Sequence, residues 1–426
     1  MNYPDSVHFL YALGNEIKTA KLGLERIRVV LDALGRPQDR LPIVHVAGTN
    51  GKGSTCAMIE SGLRAAGLRT GLFTSPHLAE PTERIRIAGR PISAQRFAEA
   101  FDRVHAVVES LLAASGIDLH TTYFETVTAM GLLVFHEEPV QIVVLEVGLG
   151  GRLDATNVVD PALCVITPVD FDHEALLGRS LEAIAGEKAG ILKPGVPAVF
   201  ARQRPEAAGV LEGRASGLGI SVARTADWPV SDLELDARGS RFHLAGPRDL
   251  RIHCPLAGEH QVENAVTAVA ALASLGVPDA AIEGGLARTE WPGRLERVWE
   301  RPEIILDGAH NPAGARALAR YIDRFYSERP VRLIFGTMRD KSVAEIGAIL
   351  FPRARQVIVT APQQSRALAP EAMRDVVDHP DLRTAATLRD ALALVEDVPP
   401  GDVVFITGSL FLVAEARALL SAHPLL

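Results

Sequence analysis

Residues Pro42–Thr55 read PIVHVAGTNGKGST, an apolar run followed by three glycines around a single lysine and then a helix-like pattern. The common phosphate loop, G-x-x-x-x-G-K-[ST], sets its hydroxyl directly after the lysine. Here Gly53 separates Lys52 from Ser54, and Val46 stands where that pattern has its first glycine. The strand–turn–helix context still favours a triphosphate site over a plain turn. Glycines let backbone N–H groups approach an anion, Lys52 supplies positive charge, and Ser54 opens a helix whose N-terminus attracts phosphate.

Outward from this loop, a helix is expected over residues 54–66, with Ala57, Met58, Leu63 and Ala66 on its apolar stripe and Gly67 as its stop. The runs RTGLFTS, QIVVLEVG and ALCVITPVD alternate with helical patterns, which predicts βαβ units and a parallel sheet covered by helices. Between about residues 201 and 255 the alternation in SRFHLAG and DLRIHCP predicts small antiparallel strands. A helical stretch, EHQVENAVTAVAALASLG, follows, and βα alternation restarts with EIILDGAHNP, VRLIFGTM, QVIVTAP and DVVFITGS. The expected architecture is α/β. A domain over residues 1–296, combining a parallel sheet with a small antiparallel one, is followed by a smaller doubly wound domain over residues 297–426.

Composition narrows the function classes. Hydrophobic residues make up 47% and charged residues 23% of 426, as in globular domains, and no run is long and apolar enough to span a bilayer. MNYPDSVHFLYALG lacks a basic stretch before an apolar core, so a cytoplasmic location is the default expectation. Cys56, Cys164 and Cys254 are widely spaced and expected to be reduced. A net charge of −8 argues against a broad nucleic-acid surface, so an anionic ligand has to be held locally.

In open parallel sheets, ligands lie beyond the carboxyl ends of the strands, so the residues there carry the chemistry. Ser75, in FTSPHL, offers a hydroxyl. Glu146 sits inside VVLEVGLGG, where an unpaired buried carboxylate would cost several kcal/mol, so a metal or cationic partner is expected. DFDHE places Asp170, Asp172 and His173 at the same edge as Lys52 and Glu146, a set able to hold a divalent ion. Lys188, in GEKAGIL after a Ser180 cap, reads from its neighbours as an ambiguous lysine, more often solvated. Asp307 and His310 project from DGAHNP, with Pro312 suited to the first turn of a helix. Arg294, in WPGRLE, could clamp phosphate through its guanidinium.

Taken together, VAGTNGKGS, TSPHL with ERIRI, TYFE, LEVGLGGRLDATN, DHEALLG, EKAGILK, PGRLE, DGAHNP and TGSLFLVAEAR resemble, in this order and over nearly the whole chain, the folylpolyglutamate synthases and dihydrofolate synthases of the Mur ligase superfamily. The resemblance implies an ATP-dependent amide ligase with an N-terminal P-loop ATPase-like domain and a C-terminal Rossmann-like domain. A substrate carboxylate takes the γ-phosphate of ATP to give an acyl phosphate, and the amine of L-glutamate displaces phosphate. It implies two Mg²⁺ ions, with ATP as substrate alongside dihydropteroate or a folate. It further implies that Asn50, Gly51, Lys52, Gly53 and Ser54 cradle the ATP phosphates, that Ser54, Ser75, Glu146 and His173 bind metal, and that Lys188 is carried as a carbamate. Asn264, Arg294 and Asp307 would touch ATP. Thr122, Tyr123, Phe124, Glu125, Leu153, Asp154 and Ala155 would line a pteridine pocket, and His310 would stand near the reacting groups. Small-molecule substrates, no nucleic acid or membrane partner and a monomeric chain complete the expectation. A cell-wall ligase adding an amino acid to a UDP-sugar peptide and a P-loop nucleotide switch remain alternatives. Gly53 after Gly51–Lys52 follows the folate branch rather than the Gly-Lys-Thr of the cell-wall enzymes.

Overall fold

The first strand sets the plan. Residues Ile43–Ala47 form β1, in which every residue is buried, as a strand covered on both faces should be. The computed structural model describes residues 1–14 and 23–422. The chain divides into two units, the first comprising Met1–Ser231, His243–Ile252 and Glu263–Thr289, the second Asp232–Phe242, His253–Val262 and Glu290 onward.

The first unit is built on an eight-stranded sheet of β1, β2 (Thr70–Phe73), β3 (Ile85–Ile87), β4 (Arg90–Pro91), β5 (Ile142–Glu146), β6 (Leu163–Ile166), β7 (Ala198–Phe200) and β8 (Val222–Arg224). Its order is β4-β3-β2-β5-β1-β6-β7-β8. The strands β2, β5, β1, β6, β7 and β8 run parallel, whereas β3 and β4 pair antiparallel at one edge. The order turns around at β1, with β2 and β5 to one side and β6 to β8 to the other. That reversal opens a crevice beyond the carboxyl end of β1, where open α/β sheets bind ligands.

Two hydrophobic clusters pack on this sheet. One joins helices Glu25–Ala33, Ala94–Ala113 and Tyr123–Glu137 to Phe73, Val143 and Leu145; the other joins Leu181–Ala189 and Pro205–Leu218 to Cys164, Ile166 and Phe200. Each fully buried aliphatic or aromatic side chain contributes about 1.5–3 kcal/mol. Helix Tyr123–Glu137 is buried from Tyr123 to Phe135, so it is core rather than cover. Helix Lys52–Ala65 meets helix Asp279–Leu286 backbone to backbone: a Cβ on Gly285 would lie 2.4 Å from the Gly62 Cα. The Ser61 hydroxyl donates to the Gly285 carbonyl at 2.7 Å across that crossing.

A three-stranded sheet of β9 (Val230–Asp236), β10 (Gly239–Leu244) and β11 (Leu250–Cys254) has the order β11-β10-β9. The two-residue connection between the neighbours β9 and β10 permits only an antiparallel pair. The second unit has six strands, β12 (Glu296–Glu300), β13 (Glu303–Leu306), β14 (Val331–Phe335), β15 (Gln356–Val359), β16 (Leu382–Thr384) and β17 (Val403–Thr407), in the order β12-β13-β17-β14-β15-β16. All run parallel except β12, which pairs antiparallel with β13 through an irregularity between Arg297 and Trp299. The mixed α/β architecture is as expected. The phosphate-loop helix begins two residues earlier than its apolar pattern suggests, because Gly51, at φ +82°, takes the cap and lets Lys52 start the first turn.

Candidate active site

The carboxyl end of β1 is a knot of backbone and lysine contacts. Lys52 folds back to donate from Nζ to the carbonyls of Gly48 and Thr49, both at 3.2 Å. The Thr49 hydroxyl donates to the Asp170 carbonyl at 2.9 Å, which ties the loop after β1 to the loop after β6. Gly51 lies so close to Asn264 that a Cβ there would stand 2.1 Å from the amide oxygen, so helix Glu259–Ser274 places Asn264 against the phosphate loop. Gly51→Ala combines this collision with a left-handed φ. It is expected to weaken nucleotide binding about 5–30-fold, from a strain of roughly 1–2 kcal/mol. Calorimetric titration with ADP checks it, and an unchanged affinity would show that the loop relaxes freely.

Neighbouring strand ends deliver the acids. Glu146 ends β5, level with Val46 in β1, and is 3% exposed. Its Oε2 accepts the Ser75 N–H at 2.9 Å, which brings the loop after β2 to the same place. Asp172 Oδ1 accepts the His173 N–H at 2.9 Å, and the His173 ring stands 3.8 Å from the same oxygen. His173 holds a left-handed φ of 51°, a conformation that a non-glycine residue keeps only where its surroundings impose it. Ser54 is buried in the first turn of the phosphate-loop helix.

Lys188 is the least ordinary residue of the set. Ser180 caps helix Leu181–Ala189 as expected, its hydroxyl accepting the Ala183 N–H, but Lys188 is not the solvated helix lysine that its neighbours suggest. It is 3% exposed, and Nζ donates to the Gly48 carbonyl at 2.8 Å, the same oxygen that Lys52 contacts. Burial, and then the like charge of Lys52, bring its ammonium down to about 7. A substantial share is therefore neutral amine near pH 7. Local sequence could not show this, because the partner carbonyl is 140 residues away.

The start of helix Tyr123–Glu137 forms a second group in this unit. Thr122 caps it in a reciprocal box with Glu125, whose carboxylate also takes Arg26 in a two-pronged pair, Nε at 2.9 Å and Nη2 at 2.6 Å from Oε2. Tyr123 stacks on Tyr11 at 5.7 Å, with the Arg84 guanidinium 5.1 Å from its ring centroid. Phe124 packs against Phe73. Leu153 is half-buried and Ala155 buried; Asp154, between them, accepts the Leu149 and Thr156 N–H groups, and burial raises its carboxyl. Arg26→Met leaves Glu125 without its cation, and a loss of about 2–3 kcal/mol in urea unfolding is expected. A change below 0.5 kcal/mol would mean that the Thr122 N–H alone satisfies the carboxylate.

Residues not singled out from the sequence complete this corner. His77 Nδ1 accepts from Arg84 Nε at 2.9 Å, while its Nε2 lies 3.2 Å from the Tyr11 hydroxyl. Burial pushes His77 down to about 3, so the ring is neutral. The stretches TSPHL and ERIRI contain both residues, but nothing in their spacing announces the pair.

In the second unit, Asp307 follows directly on β13 and opens the turn behind it. It accepts N–H bonds from Leu295 at 3.1 Å and Ala309 at 3.0 Å, and burial raises its carboxyl against the opposing pull of Arg294. Arg294 Nη1 donates to the Gly293 carbonyl at 3.3 Å, and His310 Nδ1 to the Gly308 carbonyl at 2.8 Å. Asn311 caps helix Pro312–Phe325 with Pro312 at its first position.

Known proteins resemble this chain in sequence and fold. The family model for the Mur ligase middle domain matches residues 46–272, and that for the Mur ligase glutamate ligase domain matches residues 293–410. A dihydrofolate synthase/folylpolyglutamate synthase of Mycobacterium tuberculosis is 37% identical over 94% of this chain and 90% of its own. The folylpolyglutamate synthase of Lacticaseibacillus casei is 36% identical over 99% of both. The chain belongs to the dihydrofolate synthase/folylpolyglutamate synthase family of Mur ligases. As a member of that family it is an ATP-dependent glutamate ligase. Among solved members of the family, Mycobacterium tuberculosis folylpolyglutamate synthase complexed with ADP and AMPPCP superposes with a TM-score of 0.91 at 35% identity, over 99% of this chain and 100% of that one. The Escherichia coli FolC chain in complex with DHPP and ADP gives 0.88 at 32% identity, over 98% of each. Among the described residues no helix is long and apolar enough to cross a membrane.

Proposed function

We propose that this ligase joins L-glutamate to 7,8-dihydropteroate and adds further glutamates to reduced folates, acting as a monomer in the cytoplasm. Residues 1–296 would form the domain that carries the phosphate loop and the acceptor pocket, and residues 297–426 the second, ligase domain. The observation that carries this reading is Lys188, a buried amine held on the carbonyl of the phosphate loop itself.

In the first step an acceptor carboxylate oxygen bonds to the γ-phosphorus as the bond to the bridging oxygen breaks, giving an acyl phosphate and ADP. The backbone amides of residues 50–54, the Lys52 ammonium and the helix N-terminus hold the phosphates in line. Asn264, Arg294 and Asp307 would fix the rest of the nucleotide. In the second step the neutral amine of glutamate attacks the acyl carbon, and phosphate leaves from the tetrahedral intermediate. Neutral Lys188 can add CO₂ and lose a proton to become a carbamate, which exchanges a neutral amine for an anion beside this centre. His310 would orient the reacting groups, and Thr122 to Glu125 with Leu153 to Ala155 would seat the pteridine.

Ser54, Ser75 and Glu146 offer oxygen donors that fit a magnesium-type cation, and His173 would add one imidazole nitrogen. Hydroxyl and carboxylate oxygens are hard donors, and the buried Glu146 carboxylate gains from a countercharge. These residues would hold two Mg²⁺ ions, which supply charge neutralisation at the transferring phosphoryl oxygens.

An acceptor swap tests the reading. Glutamate-dependent ADP release should appear with dihydropteroate and with a tetrahydrofolate monoglutamate. Release with dihydropteroate alone would confine the enzyme to the first ligation. Release with neither, or with a UDP-sugar peptide instead, would overturn it.

A further inference from the structure

We propose that His105, Glu109 and His120 form a binding site for a divalent transition metal of the zinc class, separate from the phosphate loop and its acids. His105 and Glu109 lie one turn apart on helix Ala94–Ala113 and therefore share a face. His120 comes from the segment that links this helix to helix Tyr123–Glu137. The ligand atoms of all three lie within 4.8 Å of one another. His105 Nδ1 stands 3.9 Å and His120 Nε2 3.7 Å from the same Glu109 oxygen. Ligands about 2.0–2.1 Å from a tetrahedral zinc ion sit about 3.4 Å apart, so the two distances to Glu109 need to shorten by only a few tenths of an ångström as the rings close on an ion.

The hydrogen bonding around the rings points the same way. His120 Nδ1 lies 2.9 Å from the Thr121 carbonyl, which can only accept. The Nδ1 nitrogen therefore carries the proton, and Nε2 presents its lone pair toward Glu109. This is how protein carbonyls orient metal-binding imidazoles. Both His120 Nε2 and His105 Nδ1 are buried atoms with no hydrogen-bond partner among the described residues. Leaving two such nitrogens unsatisfied is costly, and a single cation satisfies both. The rings are fixed from behind: His105 stacks on Phe101 at 5.4 Å, and Phe9 meets His105 at 4.7 Å and His120 at 5.6 Å. Glu109 is half open to solvent, so a water can take the fourth position.

Two imidazoles with a single carboxylate suit zinc, cobalt or nickel, whereas magnesium is held mainly by oxygen donors, at most one imidazole being added in the set of Ser54, Ser75, Glu146 and His173. The magnesium used for ligation would therefore not compete. Bound there, the ion ties the C-terminal half of one helix to the segment two residues before the Thr122 cap of the next.

Equilibrium dialysis of the full chain against Zn²⁺ in excess Mg²⁺ tests the site without measuring catalysis. One equivalent should be retained by the wild type and by His173→Ala, and Co²⁺ in its place should show the visible absorption of a four-coordinate ion. The double variant His105→Asn, His120→Asn should bind at least about 100-fold more weakly, beyond the 10–100-fold that loss of an orienting partner costs. If that variant does not fold, Glu109→Gln is read in the same assay and should also weaken binding. Retention that is unchanged in whichever of these variants folds, or lost in His173→Ala, would overturn the proposal, as would a wild type that holds no zinc.

Discussion

Lys188→Ala is expected to lower kcat by at least about 10²–10³-fold, the loss typical when one group that stabilises transition-state charge is removed. The chain should remain folded, because alanine removes a buried amine whose charged form is already disfavoured. The cost is one hydrogen bond to the Gly48 carbonyl and the space of three methylenes and the amine, roughly 2–4 kcal/mol. ADP binding should persist. If the active form of Lys188 is its carbamate, a small carboxylate such as acetate should restore part of the rate to the alanine variant by entering the space left behind. Initial rates of ADP release with and without acetate, alongside ADP calorimetry, give the answer. A variant that keeps its rate would remove Lys188 from the chemistry, and one without rescue would leave the carbamate unsupported.

Lys52→Ala should depress kcat/KM for ATP by about 10²–10³-fold, since it removes the cation at the phosphates from a loop whose amides remain. Stability should change by no more than about 1 kcal/mol, because the lost bonds run to carbonyls of the same loop. A further consequence concerns pH. In the wild type, activity that needs uncharged or carbamylated Lys188 rises as the pH passes about 7. Lys52 is the second cause of that low value, after burial. Its removal favours the Lys188 ammonium, so the residual activity should rise at higher pH than in the wild type. A pH–rate profile of kcat for the two proteins decides it, and coincident profiles would mean that Lys188 does not set the alkaline requirement.

Strand ends were the legible part of this protein. Unbroken apolar runs marked β1, β5 and β6 as buried parallel strands, and the acids that follow them lie at one sheet edge because neighbouring parallel strands end together. Partners brought together by packing were not legible. Arg26 pairs with Glu125 across 99 residues, and Arg84 stands over Tyr123 from another segment, so no local spacing encodes either contact. Nor did composition indicate the burial of Lys188, since GEKAGIL reads equally as a solvated turn of helix. The start of the phosphate-loop helix was misplaced by two residues for a physical reason. The capping glycine has a backbone role, whereas a hydrophobic stripe reports only side chains. The pair of histidines beside Glu109 drew no notice because one of them lies outside the helix that carries the other two ligands.

The position of β1 between β5 and β6 also has a kinetic side. Val46 registers with Glu146 on one flank and Val165 on the other, so the phosphate loop is anchored by strands synthesised 100 or more residues after it. At about 5–20 residues per second, the emerging chain carries an unanchored loop for on the order of ten seconds. Contacts of such long range also form late in folding, after local helices. Nucleotide binding is therefore a report that synthesis has passed β6. A nascent chain arrested before residue 160 should not bind ATP, whereas one arrested beyond Thr289 has every segment of the first unit in hand.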